Sequence, residues 1–380
     1  MLLTAYVVAI TVAWIVVSIY LIWGARQISY LANQETTNPP SFPSVAIVIA
    51  VRNEEDEIET ALSTVAAINY PNYHVFVIND RSTDGTPAKL EAIAAINKHI
   101  KIITIKELPE GWLGKNHALY QGYLASNHEW LLFTDADVSY HVDTLSKAMM
   151  FIEEKAVDHL TVLPAITSRS RLFRSVVTTF SLMLFMKLMP WLAPHKRFKA
   201  SIGIGAFNLV RRKAYEAAGT HKAFSLRPDD DLKLGEHIKS AGFNQQVAYG
   251  KGMIRLEWYV SLRQFIAGLM KNTFSISNYN LFLAFAYAIA VLVVMILPVP
   301  LFLLSGYPFY IAALLILFSQ AMVMVLARGI DARWWQAFIV PFAGAIMMYI
   351  IVVSAVRNLW QGGIYWRGTF YPLKELRKQA

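Results

Sequence analysis

No cysteine occurs in the 380 residues, which excludes disulfides and thiolate metal sites and suits a domain facing a reducing compartment. Charge is also scarce: 16% of residues are charged against 56% hydrophobic. That is too apolar for an ordinary soluble domain, yet the middle is too charged for a pure membrane bundle, so a mixed protein is implied. No glycine-rich phosphate loop of either common type is present, which removes support for P-loop and dinucleotide folds. The formal net charge is +9, but the basic residues are scattered, without an aromatic-interleaved stripe or a nucleic-acid module. No nucleic acid is expected as a partner; an anionic membrane surface is.

Long apolar runs are abundant. Residues 1–25 hold no charged side chain before Arg26, which is long enough for a transmembrane anchor. A basic start, a short apolar core and a small-residue cleavage site are all missing, so the anchor reads as uncleaved. The positive charge on its C-terminal side places a juxtamembrane linker (26–43) and the domain after it in the cytoplasm of a multi-pass plasma-membrane protein. Between Lys271 and Arg328 no residue is charged, and residues 281–356 are expected to hold about three spans: Leu281 to Leu304, Tyr307 to Ala327, and Ala337 to Val356. Four spans in all would put the basic tail, 357–380, outside, against the positive-inside tendency. Pro298 and Pro300 mark the first of the three as the irregular one.

Residues 44–280 read as one cytoplasmic domain. The runs at 44–51, 74–79, 100–105 and 129–134 are short and β-branched or aromatic, as strands buried on both faces of a parallel sheet are. Helical patterns lie between them, for example over 55–68 and 86–97. The alternation predicts a doubly wound α/β fold, in which ligands bind at the carboxyl ends of the strands. Those ends are polar here: "VRNEED", "NDRSTDG" and "TDADV" bring Asp80, Asp135 and Asp137 to one edge. Each motif alone also fits a turn or a helix cap; their convergence favours a site. A hard cation, Mg²⁺ or Mn²⁺, needs only one or two carboxylates when phosphate oxygens complete its shell, and Asp-x-Asp at a strand end supplies that minimum.

Together "SVAIVIAVRNEEDEI", "VINDRSTDGT", "GWLGKNHAL", "FTDADV" and "PDDDLKLGEHIKSAGF" resemble family 2 glycosyltransferases of the GT-A fold, over roughly Ser44 to Lys271. The "GKNHALYQG" segment and "YWRGTFY" are similar to membrane-bound members, the diaponeurosporenoate and hopanoid-associated glycosyltransferases, with ceramide glucosyltransferase more distant. The resemblance implies a nucleotide-diphosphate sugar as donor. Asn53 and Glu54 would line the nucleotide pocket, Asp80 would meet the uracil edge, and Lys115 would approach the diphosphate. Asp135 would contact ribose or metal, and Asp137 would ligate the metal. Asp231 falls at the general base and Asp230 at the preceding acid, with a register one residue earlier, through Asp229, left open. The Gln-x-x-Arg-Trp motif of processive synthases is absent; "SLRQFIAGLMKN" offers Arg263, Gln264 and Lys271 to the diphosphate instead. One sugar transfer, rather than polymer growth, is therefore expected. A processive synthase, a nucleotide-sugar hydrolase and a catalytically silent membrane scaffold are the competing readings.

The stretch 172–192 is apolar, but only 12 uncharged residues separate Arg174 from Lys187, so a helix lying in the interface is expected, with a buried core helix as the alternative. Beside Asp231 it would bring a lipid acceptor to the donor. The glycines of "SIGIGAF" (201–207) are expected to let backbone approach a ligand.

Overall fold

The computed structural model describes residues 1–35, 42–168, 170–307 and 309–379; residues 36–41 of the expected linker lie outside them. The strands in chain order are β1 (Ser29–Tyr30), β2 (Val45–Val51), β3 (Tyr73–Asp80), β4 (Ile100–Ile105), β5 (Trp130–Thr134) and β6 (Val138–Tyr140). They continue with β7 (His159–Leu163), β8 (Ala165–Ile166), β9 (Asn208–Arg211), β10 (Gln245–Tyr249) and β11 (Ile254–Leu256). Eight of them form one sheet in the order β1-β10-β7-β9-β5-β2-β3-β4, and β6-β11-β8 form a small second sheet. All pairs in the large sheet are parallel except those of β9, which runs antiparallel between β5 and β7.

The apolar alternation of β2 explains the layering. Val45, Ile47, Ile49 and Val51 pack against Ile58 and Leu62 of α2 (Ile58–Ala66), Leu90 of α3 (Thr86–Ile96), and other apolar side chains on that face. Ala46 and Val48 face the opposite layer, with Ala118 and Leu119 of α4 (Gly114–Ala125). The first face also takes Leu145 and Ile152 of α5 (Thr144–Lys155). Each fully buried Leu, Ile or Val contributes about 1.5–3 kcal/mol relative to exposure. One strand departs from expectation: β4 is the sheet edge, and Lys101 and Thr104 on it are exposed rather than buried.

The stretch expected to lie in the interface is α6 (Arg171–Leu188) plus a 3₁₀ turn at Pro190–Leu192. No residue from Phe173 to Met186 is exposed. Phe173, Val176, Val177 and Phe180 pack on Phe265 and Leu269 and on Ala343, Met347 and Ile350. One face of α6 is thus packed inside the protein. By length and composition Arg171–Leu192 is also apolar enough to cross a membrane, as are Leu2–Gln27, Phe309–Leu326 and Trp334–Gln361.

Beyond α7 (Arg212–Ala217) and α8 (Asp230–Ser240), α9 (Leu262–Asn272) leads through a 3₁₀ turn at Ser275–Ser277 into α10 (Leu281–Val291) with a bend of 114°. The region expected as one span over Leu281 to Leu304 is broken into α10, a π turn at Leu292–Ile296 and α11 (Pro298–Leu304). Pro298 cannot donate to the carbonyl one turn before it. The carbonyls of Val293 and Val294 are taken instead by Tyr6 Oη at 2.6 Å and Trp14 Nε1 at 2.8 Å from the N-terminal helix, α1 (Leu2–Gln27). In an apolar bundle such freed groups need partners from neighbouring helices. Next come α12 (Phe309–Leu326) and α13 (Val340–Gln361). The expected basic tail is an antiparallel hairpin, β12 (Gly363–Trp366) and β13 (Thr369–Pro372), closed by α14 (Leu373–Leu376). Ile364, Tyr371, Leu373 and Leu376 are buried in the same core as α1 and α12.

Candidate active site

A cleft opens where β2, β3 and β5 end, and its walls include Arg52, Glu54, Asp80, Lys115, Asp135 and Asp137. One end is organised around Asp80, which is 3% exposed. Arg81 grips both of its oxygens, Nε to Oδ1 at 2.7 Å and Nη2 to Oδ2 at 3.1 Å, and Arg52 stands 3.6 Å away. This fork raises the Arg81 pKa still further. Gly114, at the start of α4, has to be glycine, since a Cβ there would lie 2.2 Å from Asp80 Oδ2.

The other end holds the acids. Lys115 Nζ bridges Asp135 Oδ1 at 2.8 Å and Asp230 Oδ1 at 3.4 Å. Burial works against charge on Lys115, but Asp135, Asp230 and Asp231 outweigh it and hold the ammonium protonated. The bridge is placed by the next residue. The buried amide of Asn116 donates to the carbonyls of Phe224, Ser225 and Arg227, all within 3.1 Å, and so ties α4 to the loop before α8.

Asp231 is fixed by two backbone amides: Gly205 N donates to Oδ2 at 2.8 Å and Leu232 N to Oδ1 at 2.8 Å. Gly205 in turn accepts from the amide of Asp135 at 2.9 Å, so one residue registers both acids. A Cβ on Gly205 would come 2.2 Å from Asp135 Oδ2, and one on Gly203 would come 1.8 Å from the Asp231 carbonyl. The glycines of "SIGIGAF" thus admit the close approach of acid-bearing segments.

Burial, then the Asp135 charge, pushes Asp137 up to about 7, and its Oδ1 is buried without a partner. Burial likewise raises Asp230 to about 7 and Asp231 in the same direction, with Lys115 opposing both. Asp229 is drawn away, since Arg227, 1% exposed, forks onto it at 2.9 and 2.8 Å. That pair sets Asp229 apart from Asp230, whose partner is Lys115.

The profile of the family described as Glycosyl transferase family 2 matches residues 46–219. Residues 46–219 form a family 2 glycosyl transferase domain. The chain is 29% identical over 202 residues to beta-monoglucosyldiacylglycerol synthase of a Nostoc species, covering 52% of this chain and 42% of that one. It is 33% identical over 133 residues to poly-beta-1,6-N-acetyl-D-glucosamine synthase of Staphylococcus aureus, covering 35% of this chain and 31% of that one. The chain therefore spans less than half the length of the curated relatives it matches. Among solved structures, a mannosyltransferase from Pyrobaculum calidifontis in complex with GDP-Man and Mn²⁺ superposes with a TM-score of 0.55 at 19% identity, covering 94% of this chain and 99% of that one. The family 2 domain has the GT-A fold.

The family 2 domain supplies Glu54, Asp80, Lys115, Asp135 and Asp137 to one cleft, while Asp230 reaches it through Lys115. Asn53 does not line the cleft. It sits at φ +54°, receives the Thr83 amide at 2.8 Å and gives its own amide to Ser82 Oγ, tying the β2 and β3 loops together. Arg263 is exposed on the first turn of α9 and does not join the cleft walls, because α9 presents Gly268 and Asn272 there instead. The side chain of Lys271 lies outside the described residues. Sequence reasoning missed Arg52, Tyr259, Trp366, Arg367 and Tyr371, which also wall the cleft. The last three come from the hairpin, far beyond the family 2 match. Their signal was present in "YWRGTFY": alternating aromatics around Arg-Gly are a strand–turn–strand pattern.

Proposed function

We propose that the protein is an inverting glycosyltransferase that moves one sugar from a nucleotide-diphosphate sugar, UDP-glucose or similar, to a membrane lipid. The observation that carries the reading is that Lys115, in the wall of a cleft at the carboxyl ends of β2, β3 and β5, bridges Asp135 and Asp230. In this reading Asp231 takes the proton of the acceptor hydroxyl. Its two backbone hydrogen bonds aim it, and its raised pKa suits a proton acceptor. Attack from the face opposite the leaving diphosphate inverts the anomeric centre, so an α-linked donor gives a β-linked product. Lys115, already poised between Asp135 and Asp230, lies where it can follow the diphosphate charge.

A divalent cation fits the residues present. Asp137 Oδ1 is a buried, partnerless acceptor beside Asp135. Among the described residues no group of three or more His, Asp or Glu side chains is arranged to hold a metal ion, so Asp137 and Asp135 would hold the ion together with donor phosphates. When bound, the ion offsets charge on the leaving diphosphate.

The lipid acceptor is supported by four helices, among the described residues, that are long and apolar enough to cross a membrane, and by similarity to a monoglucosyldiacylglycerol synthase. The proposed setting is a plasma membrane, with the family 2 domain on the cytoplasmic face. Similarity to a polysaccharide synthase supports polymer growth as a second reading. The experiment that separates them is purified protein in lipid vesicles with radiolabelled UDP- and GDP-sugars. Label in the lipid extract is expected; label in lipid-free polymer would establish the second reading, and label only in free sugar would sink both. Asp231→Asn should cut transfer about 10²–10⁴-fold while nucleotide binding persists. Normal turnover in that variant would remove Asp231 as base.

A further inference from the structure

We propose that Arg367, at the tip of the β12–β13 hairpin, is a ligand for the diphosphate of the nucleotide in the cleft. The inference rests on the glycosyltransferase reading and adds to it a residue from outside the family 2 domain. The hairpin turns at Arg367 and Gly368, whose φ angles are +47° and +80°. Both central residues of such a turn occupy the left-handed region, where Asn-Gly is preferred. Arginine is disfavoured there by its Cβ, and residues held in such conformations gather at functional sites.

The side chain then reaches into the cleft. Its guanidinium bonds Glu54 Oε1 at 2.6 Å and the backbone carbonyl of Arg52, both just past the end of β2. A planar fork set between two oxygen acceptors is the arrangement that receives phosphate oxygens.

Competition for the other cations sharpens the assignment. Arg81 and Arg52 are drawn to Asp80, whose side chain is 5% exposed, and Lys115 is shared by Asp135 and Asp230. The Arg367–Glu54 pair is the more open one, with side chains 46% and 23% exposed. Ion pairs of that kind contribute least, so this guanidinium exchanges partners at the smallest cost when an anion enters.

The test is calorimetric titration of the full chain in detergent micelles with UDP, GDP, uridine and guanosine, for wild type, Arg367→Ala and Arg367→Lys. Removing a charge-assisted fork should weaken diphosphate binding roughly tenfold to a hundredfold. Nucleoside binding should be unchanged. Lysine should recover part of the loss, because it keeps the charge without the fork. Unchanged diphosphate affinity in Arg367→Ala would overturn the proposal. Equal weakening of diphosphate and nucleoside would overturn it too, since Arg367 would then only hold the hairpin in place. A wild type that binds neither UDP nor GDP would bring down the glycosyltransferase reading itself.

Discussion

Replacing Asp137 by Asn should make the protein more stable while disabling it. Burial, then the neighbouring Asp135 charge, penalises the ionised form of Asp137 and pushes its pKa up to about 7 from an ordinary 3.8. At 1.36 kcal/mol per pKa unit, holding it ionised above pH 7 costs the folded state up to about 4 kcal/mol. Water reaching it through the cleft screens part of that cost, so about 2 kcal/mol is the expected gain in Asp137→Asn at pH 8. The sign follows from a raised folded-state pKa. The Asp137 contribution to wild-type stability is greatest below the unfolded pKa and is lost as pH rises from about 4 to about 7, whereas the variant lacks that share of the loss. For a domain of this size the gain corresponds to roughly 4–8 °C in Tm. Thermal unfolding in detergent, in EDTA and between pH 5 and 8.5, reads it directly. A variant that melts lower than wild type at pH 8, or that keeps the full wild-type pH slope, would refute the reasoning. Mn²⁺ added in place of EDTA should raise the wild-type Tm and leave that of the variant nearly unmoved.

Two further outcomes are expected. Lys115→Met strips Asp135 and the buried Asp230 of their shared cation, and breaking such a pair costs about 3–5 kcal/mol. The loss should be largest at pH 8 and shrink below pH 6 as Asp230 protonates, read by the same melting series; a pH-independent loss would rule this out. Gly205→Ala drives a methyl group into Asp135 Oδ2 and shifts the amide that holds Asp231. Transfer should fall by at least about tenfold, since misplacing a reacting group by an ångström suffices for that. Wild-type rates in Gly205→Ala would mean that this registration is unimportant.

The four strands read from apolar runs are β2, β3, β4 and β5 within a residue of their expected ends, because a buried parallel strand is a purely local hydrophobic pattern. Asp80, Asp135 and Asp137 were legible for the same reason: they end those strands. Position in the sheet was not legible, so "IKIITI" gave no sign that it forms the open edge. Arg263 was expected at the site because its segment stands where related synthases carry Gln-x-x-Arg-Trp, yet which face α9 turns to the cleft is set by packing of Phe265 and Leu269 against α6 and α13. The hairpin residues were missed because their contacts span more than 300 residues, as Arg367 with Glu54 does. Asp229 illustrates a smaller gap: an arginine two residues upstream, Arg227, captures it, and no periodicity announces such a pair.

The hairpin also fixes when, during synthesis, the cleft can exist. Its first wall residue is Ala50 and its last is Tyr371, so the pocket is built from both ends of the chain. The family 2 domain can leave the ribosome long before Arg367 and Tyr371 are made. Those residues follow α13, whose apolar length packs against α10 and α6. A nascent chain that lacks the hairpin therefore has Asp80, Asp135 and Asp137 but an incomplete cleft wall. Completion of the cleft walls waits on the hairpin that follows α13, which ties the cleft to the assembly of the apolar bundle.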